Sequence, residues 1–282
     1  MDEKLFATIR ALKAALLQES ADVSDIDGTV YKWQLLIMLV LGITDAFPKK
    51  KSLVKPLKHA IDDYRARRGE FGEVIRLLLL VIPEVFIGVP RSRVKNLAKV
   101  IAESEAPQVY TFPKKLYQIL KSQKRILIAI TGAPQEVAEP FCAKLGFDFV
   151  IGADYKVNSK GMYTGEYDIS SGIAKGLIMD TLANECGLKW DKSIGLGDSE
   201  ADIPIFDRVG WPIAVNPNTS LIAHIRSHTE KPIAFVRDGQ KSGVQIFLPT
   251  EQGYFIETRS IHILPIGVAE KLGEIPGICS SL

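Results

Sequence analysis

The 282-residue sequence holds only three cysteines, Cys142, Cys186 and Cys279, and no two of them share a paired spacing. That argues against a disulfide framework and points to a reducing, cytoplasmic setting. An excess of charge of either sign is also missing. Thirty-five Lys and Arg against 33 Asp and Glu leave a net +2, so there is no global electrostatic case for nucleic acid. Long apolar runs are absent too. "LLIMLVLGI" and "IRLLLLVIPEVFIGV" both fall short of the roughly 20 residues a bilayer requires, and Pro83 and Glu84 cut the second. Both are expected to be buried helices, with no transmembrane segment. The N-terminus has acidic residues where a signal peptide needs basic ones, and Leu5, Ile9, Leu12 and Leu16 recur at helical spacing. It reads as an amphipathic helix. Neither an internal repeat nor a low-complexity tract is present.

What the sequence does have is a set of short apolar strands that each end in a polar turn. Residues 21–26 run into "DIDGT", and "RILIAITGAP" is a continuous apolar strand closing on Thr131 and Gly132. "SIGLGDSEAD" ends a strand at Gly197-Asp198, with a helix starting near Asp202. "FDFVIGADYKVNSKGMYTGEYD" predicts a strand and a small hairpin flap. "SSGIAKGLIMDTLANECGL" predicts a helix with Ser at its N-cap, Gly187 at its stop, and Ile173, Leu177, Ile178 and Leu182 on its apolar side. Strands alternating with helices over residues 125–236 indicate an α/β fold with a mainly parallel sheet, whose crevice lies at the carboxyl ends of the strands. Residues 31–124 are mostly helical and interrupt that pattern as an inserted cap domain would. The expected division is a Rossmann-like core of residues 1–30 and 125–282 and a helical cap of residues 31–124. Within the core, residues from about 226 onward match nothing recognisable beyond candidate edge strands "GVQIFL" and "GYFIET".

Asp25 and Asp27 stand two apart, which puts both on one side of an extended strand. At about 4 Å, two carboxylates repel by roughly 4 kcal/mol in a dielectric of about 20. A hard cation such as Mg²⁺ removes that repulsion, and Asp25 and Asp198 could hold it. A carboxylate can also attack phosphorus, and a second carboxyl can protonate the leaving alkoxide and later activate water. Gly28 and Thr29 let the chain turn away at the strand end. Thr131, Gly132 and Lys175 supply a hydroxyl, a backbone N–H and a point charge for a phosphoryl group. Ser199 and Asp202 sit at a helix entry beside Asp198.

These residues, in this order, resemble the haloacid dehalogenase superfamily, in particular its phosphoserine-phosphatase-like branch. "DIDGT", "ILIAITGAP", Lys175 in "SGIAKG" and "GLGDSEAD" are similar to its four motifs. The resemblance implies Mg²⁺-dependent hydrolysis of a small phosphorylated metabolite. It makes Asp25 the nucleophile and Asp27 the acid/base, with Thr131 and Lys175 on the phosphoryl group. The Asp25 side chain, the Asp27 carbonyl and Asp198 would hold the metal, with Asp202 nearby. A dehalogenase needs no acid at position 27, so Asp27 favours phosphoryl transfer. The branch has Asn where Ala201 stands, which weakens phosphoserine as the substrate. Phosphotransfer to an acceptor other than water, and a non-catalytic phosphate-binding regulator, remain the alternatives. Eight Lys and Arg between Lys49 and Arg68 read as a solvated helix face and not as a membrane-docking surface. His224 and His228 have metal-ligand spacing but no third ligand, and read as surface residues.

Overall fold

The computed structural model describes residues 3–15, 20–227, 233–239, 243–249 and 255–258. The chain opens with α1 (Glu3–Ala15) and the short strand β1 (Asp22–Ser24). Five helices follow: α2 (Leu35–Ala46), α3 (Lys55–Arg65), α4 (Phe71–Phe86), α5 (Arg91–Glu105) and α6 (Thr111–Ser122). The chain then returns to the sheet with β2 (Leu127–Pro134), α7 (Gln135–Lys144), β3 (Phe149–Val157) and β4 (Tyr163–Asp168). Next come α8 (Ser170–Ile173), α9 (Lys175–Cys186), β5 (Ile194–Gly197), α10 (Ile203–Phe206), β6 (Trp211–Val215) and α11 (Thr219–Ser227). Strands β7 (Ala234–Gly239), β8 (Gly243–Pro249) and β9 (Phe255–Thr258) close the described chain.

The sheet order is β4-β3-β2-β1-β5-β6-β7-β8-β9. The six central strands, β3 to β7, pair in parallel, and β4, β8 and β9 add antiparallel edges. This is the Rossmann-like core with an inserted helical cap. The candidate strand "GVQIFL" lies in β8 and the last four residues of "GYFIET" form β9; the first two lie outside the described residues.

Both faces of the sheet are covered, as a parallel sheet requires. Along β2, Leu127 and Ala129 join the core shared with the inserted helices, while Ile128 and Ile130 join the opposite core with α1, α9, α10 and α11. Strand β1 is more polar than its central position suggests, and its alternation explains why. Val23 faces the α1 side with Ile9 and Leu12. Asp22 meets Arg125 through two bonds of 2.6 Å and also accepts the Ile194 N–H at 2.8 Å. Ser24 receives the Tyr117 hydroxyl at 2.7 Å and donates to the Asp25 carbonyl at 2.6 Å. Each buried polar group is therefore matched.

The helical insertion is held to the core on two sides. The Tyr110 N–H donates to the Val30 carbonyl at 2.9 Å, and the Phe112 N–H, in the first turn of α6, donates to the Asp238 carboxylate at 2.6 Å. On the other side, the β3–β4 hairpin meets the turn after α4. Gly88 donates to the Tyr163 carbonyl at 2.9 Å, Tyr163 to Val89 at 3.0 Å and Arg91 to Gly161 at 2.9 Å.

Two expectations need correction. The helix predicted from Ser170 to Gly187 is broken at Ala174 into α8 and α9. Ile173 and Leu177 face outward, 70% and 67% exposed, while Ile178 and Leu182 are buried. The apolar run of α4 is likewise not wholly internal: Leu79 and Leu80 are exposed. Among the described residues, no helix is long and apolar enough to cross a membrane.

Candidate active site

The site forms where β1 and β5 end and where β2 breaks its register with β3 after Ile130. The Asp25 N–H donates to the Leu196 carbonyl at 3.0 Å, so the chain leaves β1 still pairing with β5 and carries Asp25 to the sheet's carboxyl edge. A tight turn follows, with the Val30 and Tyr31 N–H groups both on the Ile26 carbonyl at 2.9 Å. Gly28 occupies this turn at φ +89°, and a Cβ there would lie 2.4 Å from Asp198 Oδ2. Only glycine allows both that backbone angle and that approach.

Lys175, the first residue of α9, is 3% exposed and lies between two carboxylates. Its Nζ is 2.6 Å from Asp25 Oδ1 and 2.5 Å from Asp202 Oδ1. Burial alone would lower its affinity for the proton, but Asp25 and Asp202 outweigh that and hold the ammonium charged above its ordinary value. The second oxygen of Asp202 accepts the N–H groups of Asp198 (2.9 Å) and Ser199 (3.1 Å) and the Ser199 hydroxyl (3.2 Å). Asp202 thereby fixes the backbone that presents Asp198. The Thr29 hydroxyl lies 3.1 Å from Asp25 Oδ2 and 2.8 Å from Asp198 Oδ1. With one proton it can donate to only one of them at a time.

Asp25, Asp198 and Asp202 bring carboxylate oxygens within 4.8 Å of one another. Burial is the main cause that raises Asp25, to about 6, with Lys175 opposing and Asp202 adding to it. Asp198 is also raised well above its ordinary value by burial and then by its acidic neighbours. An all-oxygen set of crowded carboxylates fits a hard divalent cation, whose charge would relieve the repulsion. Asp202 accepts from Lys175 on one oxygen and three times from Asp198 and Ser199 on the other, whereas Asp25 Oδ2 meets only the Thr29 hydroxyl that it shares with Asp198, so Asp25 and Asp198 are the better placed pair.

Asp27 lies apart from this group. Its Oδ1 accepts the Leu35 N–H, at the start of α2, at 2.9 Å. Burial pushes the carboxyl up to about 8, with the Leu35 bond opposing and the Asp25 charge adding. Two carboxyls two residues apart therefore have different surroundings, one against an ammonium and one against a neutral amide.

Strand β2 does not close on Thr131 and Gly132 as expected but runs on to Pro134 across an irregularity after Ile130, and Thr131 is buried there, its Oγ1 accepting the Ala133 N–H at 3.1 Å. Gly132 follows, packed against Gly172 of α8. Asp25, Thr29, Lys175, Asp198, Ser199 and Asp202 are thus joined by direct contacts. Asp27 and Gly28 belong to the same turn, and the Thr131–Gly132 turn borders α8, which leads into Lys175. His224 lies on α11 and contributes to none of these contacts; His228 falls outside the described residues. Sequence reading missed the Leu35 N–H, a backbone group without a motif. It also missed Ser171, read only as part of a helix start.

Residues 23–207 match the family model of haloacid dehalogenase-like hydrolases. The chain belongs to this family. Among curated proteins, it is 28% identical over 133 residues to the "Inhibition of morphological differentiation protein" of Streptomyces azureus, covering 45% of this chain and 48% of that one. It is 26% identical over 126 residues to a histidinol-phosphatase of Neisseria meningitidis serogroup C, covering 43% and 57%. The chain thus spans about half the length of the curated relatives it matches. Among solved structures, a substrate-bound phosphoserine phosphatase superposes with a TM-score of 0.50 at 16% identity, over 74% of this chain and 91% of that one. That likeness is one of fold.

Proposed function

We propose that the protein is a Mg²⁺-dependent phosphatase that hydrolyses a small phosphomonoester through an aspartyl-phosphate on Asp25. The observation that carries this reading is the contrast between Asp25, bonded to the Lys175 ammonium, and Asp27, bonded only to an amide and raised to about 8. A nucleophile must be ionised and a general acid must hold its proton at neutral pH, and these surroundings favour that division.

In the proposed sequence an Asp25 carboxylate oxygen attacks phosphorus, and the bond from phosphorus to the ester oxygen breaks. The leaving alkoxide takes the Asp27 proton. Water then attacks the phosphoryl group, gives a proton to Asp27, and releases inorganic phosphate as the bond to Asp25 breaks. Lys175, the Thr131 hydroxyl and the Gly132 N–H would bind the phosphoryl oxygens. Asp25, Asp198 and the Asp27 carbonyl would hold Mg²⁺, which when bound supplies positive charge to the phosphoryl oxygens. Lys175 also keeps Asp25 ionised and oriented, so it has a role before substrate arrives.

Residues 31–124 serve as the cap that admits the substrate, and the remainder as the catalytic core. Cys142 and Cys186 are free thiols, which supports action in a reducing cytoplasm. The histidinol-phosphatase and phosphoserine-phosphatase likenesses favour a small phosphorylated metabolite as substrate, with phosphoserine disfavoured by Ala201. The test is release of inorganic phosphate from a panel of phosphomonoesters, with Mg²⁺ and with EDTA, beside Asp25→Asn. Turnover that requires Mg²⁺ and vanishes in Asp25→Asn is expected. Turnover that persists in Asp25→Asn, or none from any ester, would overturn the reading.

A further inference from the structure

Strand β2 pairs in register with β3 from Ile128 to Ile130 and again at Pro134, with a shift between. Thr131, Gly132 and Ala133 fall inside that interruption. Main-chain groups at such a bulge are released from the ladder and can be aimed elsewhere. The Thr131 carbonyl is not left without a donor. It accepts the Ser171 hydroxyl at 2.7 Å, and Ser171 is itself 6% exposed.

The next residue of α8 tightens the contact. A Cβ on Gly172 would lie 2.9 Å from Gly132 Cα, so two backbones touch here and no larger residue fits without movement. Thr131 Oγ1 accepts the Ala133 N–H at 3.1 Å, which leaves the hydroxyl proton able to point away from the loop. Lys175 follows α8 after a single intervening residue, Ala174, whose N–H closes the short helix on the Ser170 carbonyl at 2.7 Å.

A trans peptide is planar, and its C=O and N–H point in opposite directions. Holding the Thr131 carbonyl against α8 therefore fixes the direction of the Gly132 N–H away from α8. We infer that Ser171 is the positioning residue of the phosphate-binding turn. Its hydroxyl clamps the Thr131–Gly132 peptide in the orientation that turns the Gly132 N–H toward the crevice, and α8 keeps that donor in register with Lys175. This rests on the reading of the turn as a phosphoryl-binding element. Without the Ser171 hydroxyl, the buried carbonyl has no donor and the peptide is free to rotate toward another.

The test compares wild type with Ser171→Ala, Ser171→Cys and Ser171→Thr, all checked for equal melting temperature. Binding of inorganic phosphate in Mg²⁺ is measured by calorimetry, KM and kcat by phosphate release, and the Gly132 amide by nitrogen-15 NMR without phosphate. Loss of one hydrogen bond predicts about tenfold weaker phosphate binding in Ser171→Ala. KM should rise by a similar factor with kcat changed less, and the Gly132 amide signal should broaden. Ser171→Cys, keeping the shape with a weaker donor, should fall between, and Ser171→Thr should restore binding and a sharp signal. Phosphate binding within twofold of wild type together with a sharp Gly132 amide in Ser171→Ala would overturn the inference. If wild type neither binds phosphate nor hydrolyses any ester, the phosphatase reading fails. The Gly132 line shape still decides the clamp.

Discussion

The Asp27 carboxylate accepts its hydrogen bond from the backbone of Leu35, so the residue proposed as the acid is held by the first turn of the inserted helices. The inserted helices therefore help to fix the orientation of a carboxyl carried by the core. Asp27→Asn keeps the acceptor for Leu35 and removes the transferable proton. Steady-state kcat should fall by about 10²–10⁴ for alkyl phosphates. With p-nitrophenyl phosphate, whose leaving group needs no proton, the first step should survive and the second should stall. A stoichiometric burst of p-nitrophenol and a phosphorylated protein by mass spectrometry are expected. Equal loss of burst and steady-state rates would assign Asp27 a different role.

Lys175 is the only cation in direct contact with Asp25 and Asp202 among the described residues. Lys175→Met leaves two buried carboxylates facing each other with no counter-charge, a change that costs about 3–5 kcal/mol where one member of a buried pair is removed. A fall in melting temperature on the order of 10 °C is expected from calorimetry, together with loss of turnover. Lys175→Arg should not restore activity, because a planar fork cannot occupy the point between Asp25 and Asp202. A Lys175→Met protein that melts with wild type would contradict the proposed charge arrangement.

Arg125 and Asp22 make the corresponding pair away from the chemistry, 11% and 3% exposed at their side chains. Arg125→Met strands a buried Asp22 and should destabilise by a similar amount, about 3–5 kcal/mol, read from urea unfolding. Its kcat at a temperature where the protein is folded should stay within a few-fold of wild type. The contrast with Lys175→Met separates a pair that holds the sheet from one that serves the site.

Much of this was legible in the sequence because the signals are local. "DIDGT" and Gly197-Asp198 each place an aspartate one step past a strand, Thr131 follows the paired apolar run of β2, and parallel topology brings these points together. The continuous run of β2 announced burial on both faces. What the sequence hid depends on contacts far apart in the chain. The polar residues of β1 make sense only beside Arg125 and Tyr117, about a hundred residues on. The break at Ala174 carries no proline or glycine at that position; it follows from pressing Gly172 onto Gly132 while Lys175 reaches Asp25. Ile173 and Leu177 are exposed, so helical periodicity placed them on the wrong side.

The crowding of Asp25, Asp198 and Asp202 makes one last prediction, which needs no substrate. A ligand that binds only the folded state stabilises it by RT ln(1 + [L]/Kd), about 2.7 kcal/mol at a hundred times Kd. Mg²⁺ should therefore raise the melting temperature with the logarithm of its concentration, and EDTA should reverse the rise. Asp198→Asn removes one of the two carboxylates best placed for the ion and should abolish most of that dependence. Gly28→Ala should weaken it as well, by forcing Asp198 aside from a position 2.4 Å from the new methyl. Asp202 behaves differently in this scheme, because its oxygens already hold Lys175 and the Asp198–Ser199 backbone. Asp202→Asn should lower the metal-free melting temperature more than Asp198→Asn does, since it removes one of the two carboxylates that pair the buried Lys175. A melting curve indifferent to Mg²⁺ in wild type would mean that Lys175 alone balances the cluster, and the metal assignment would fall.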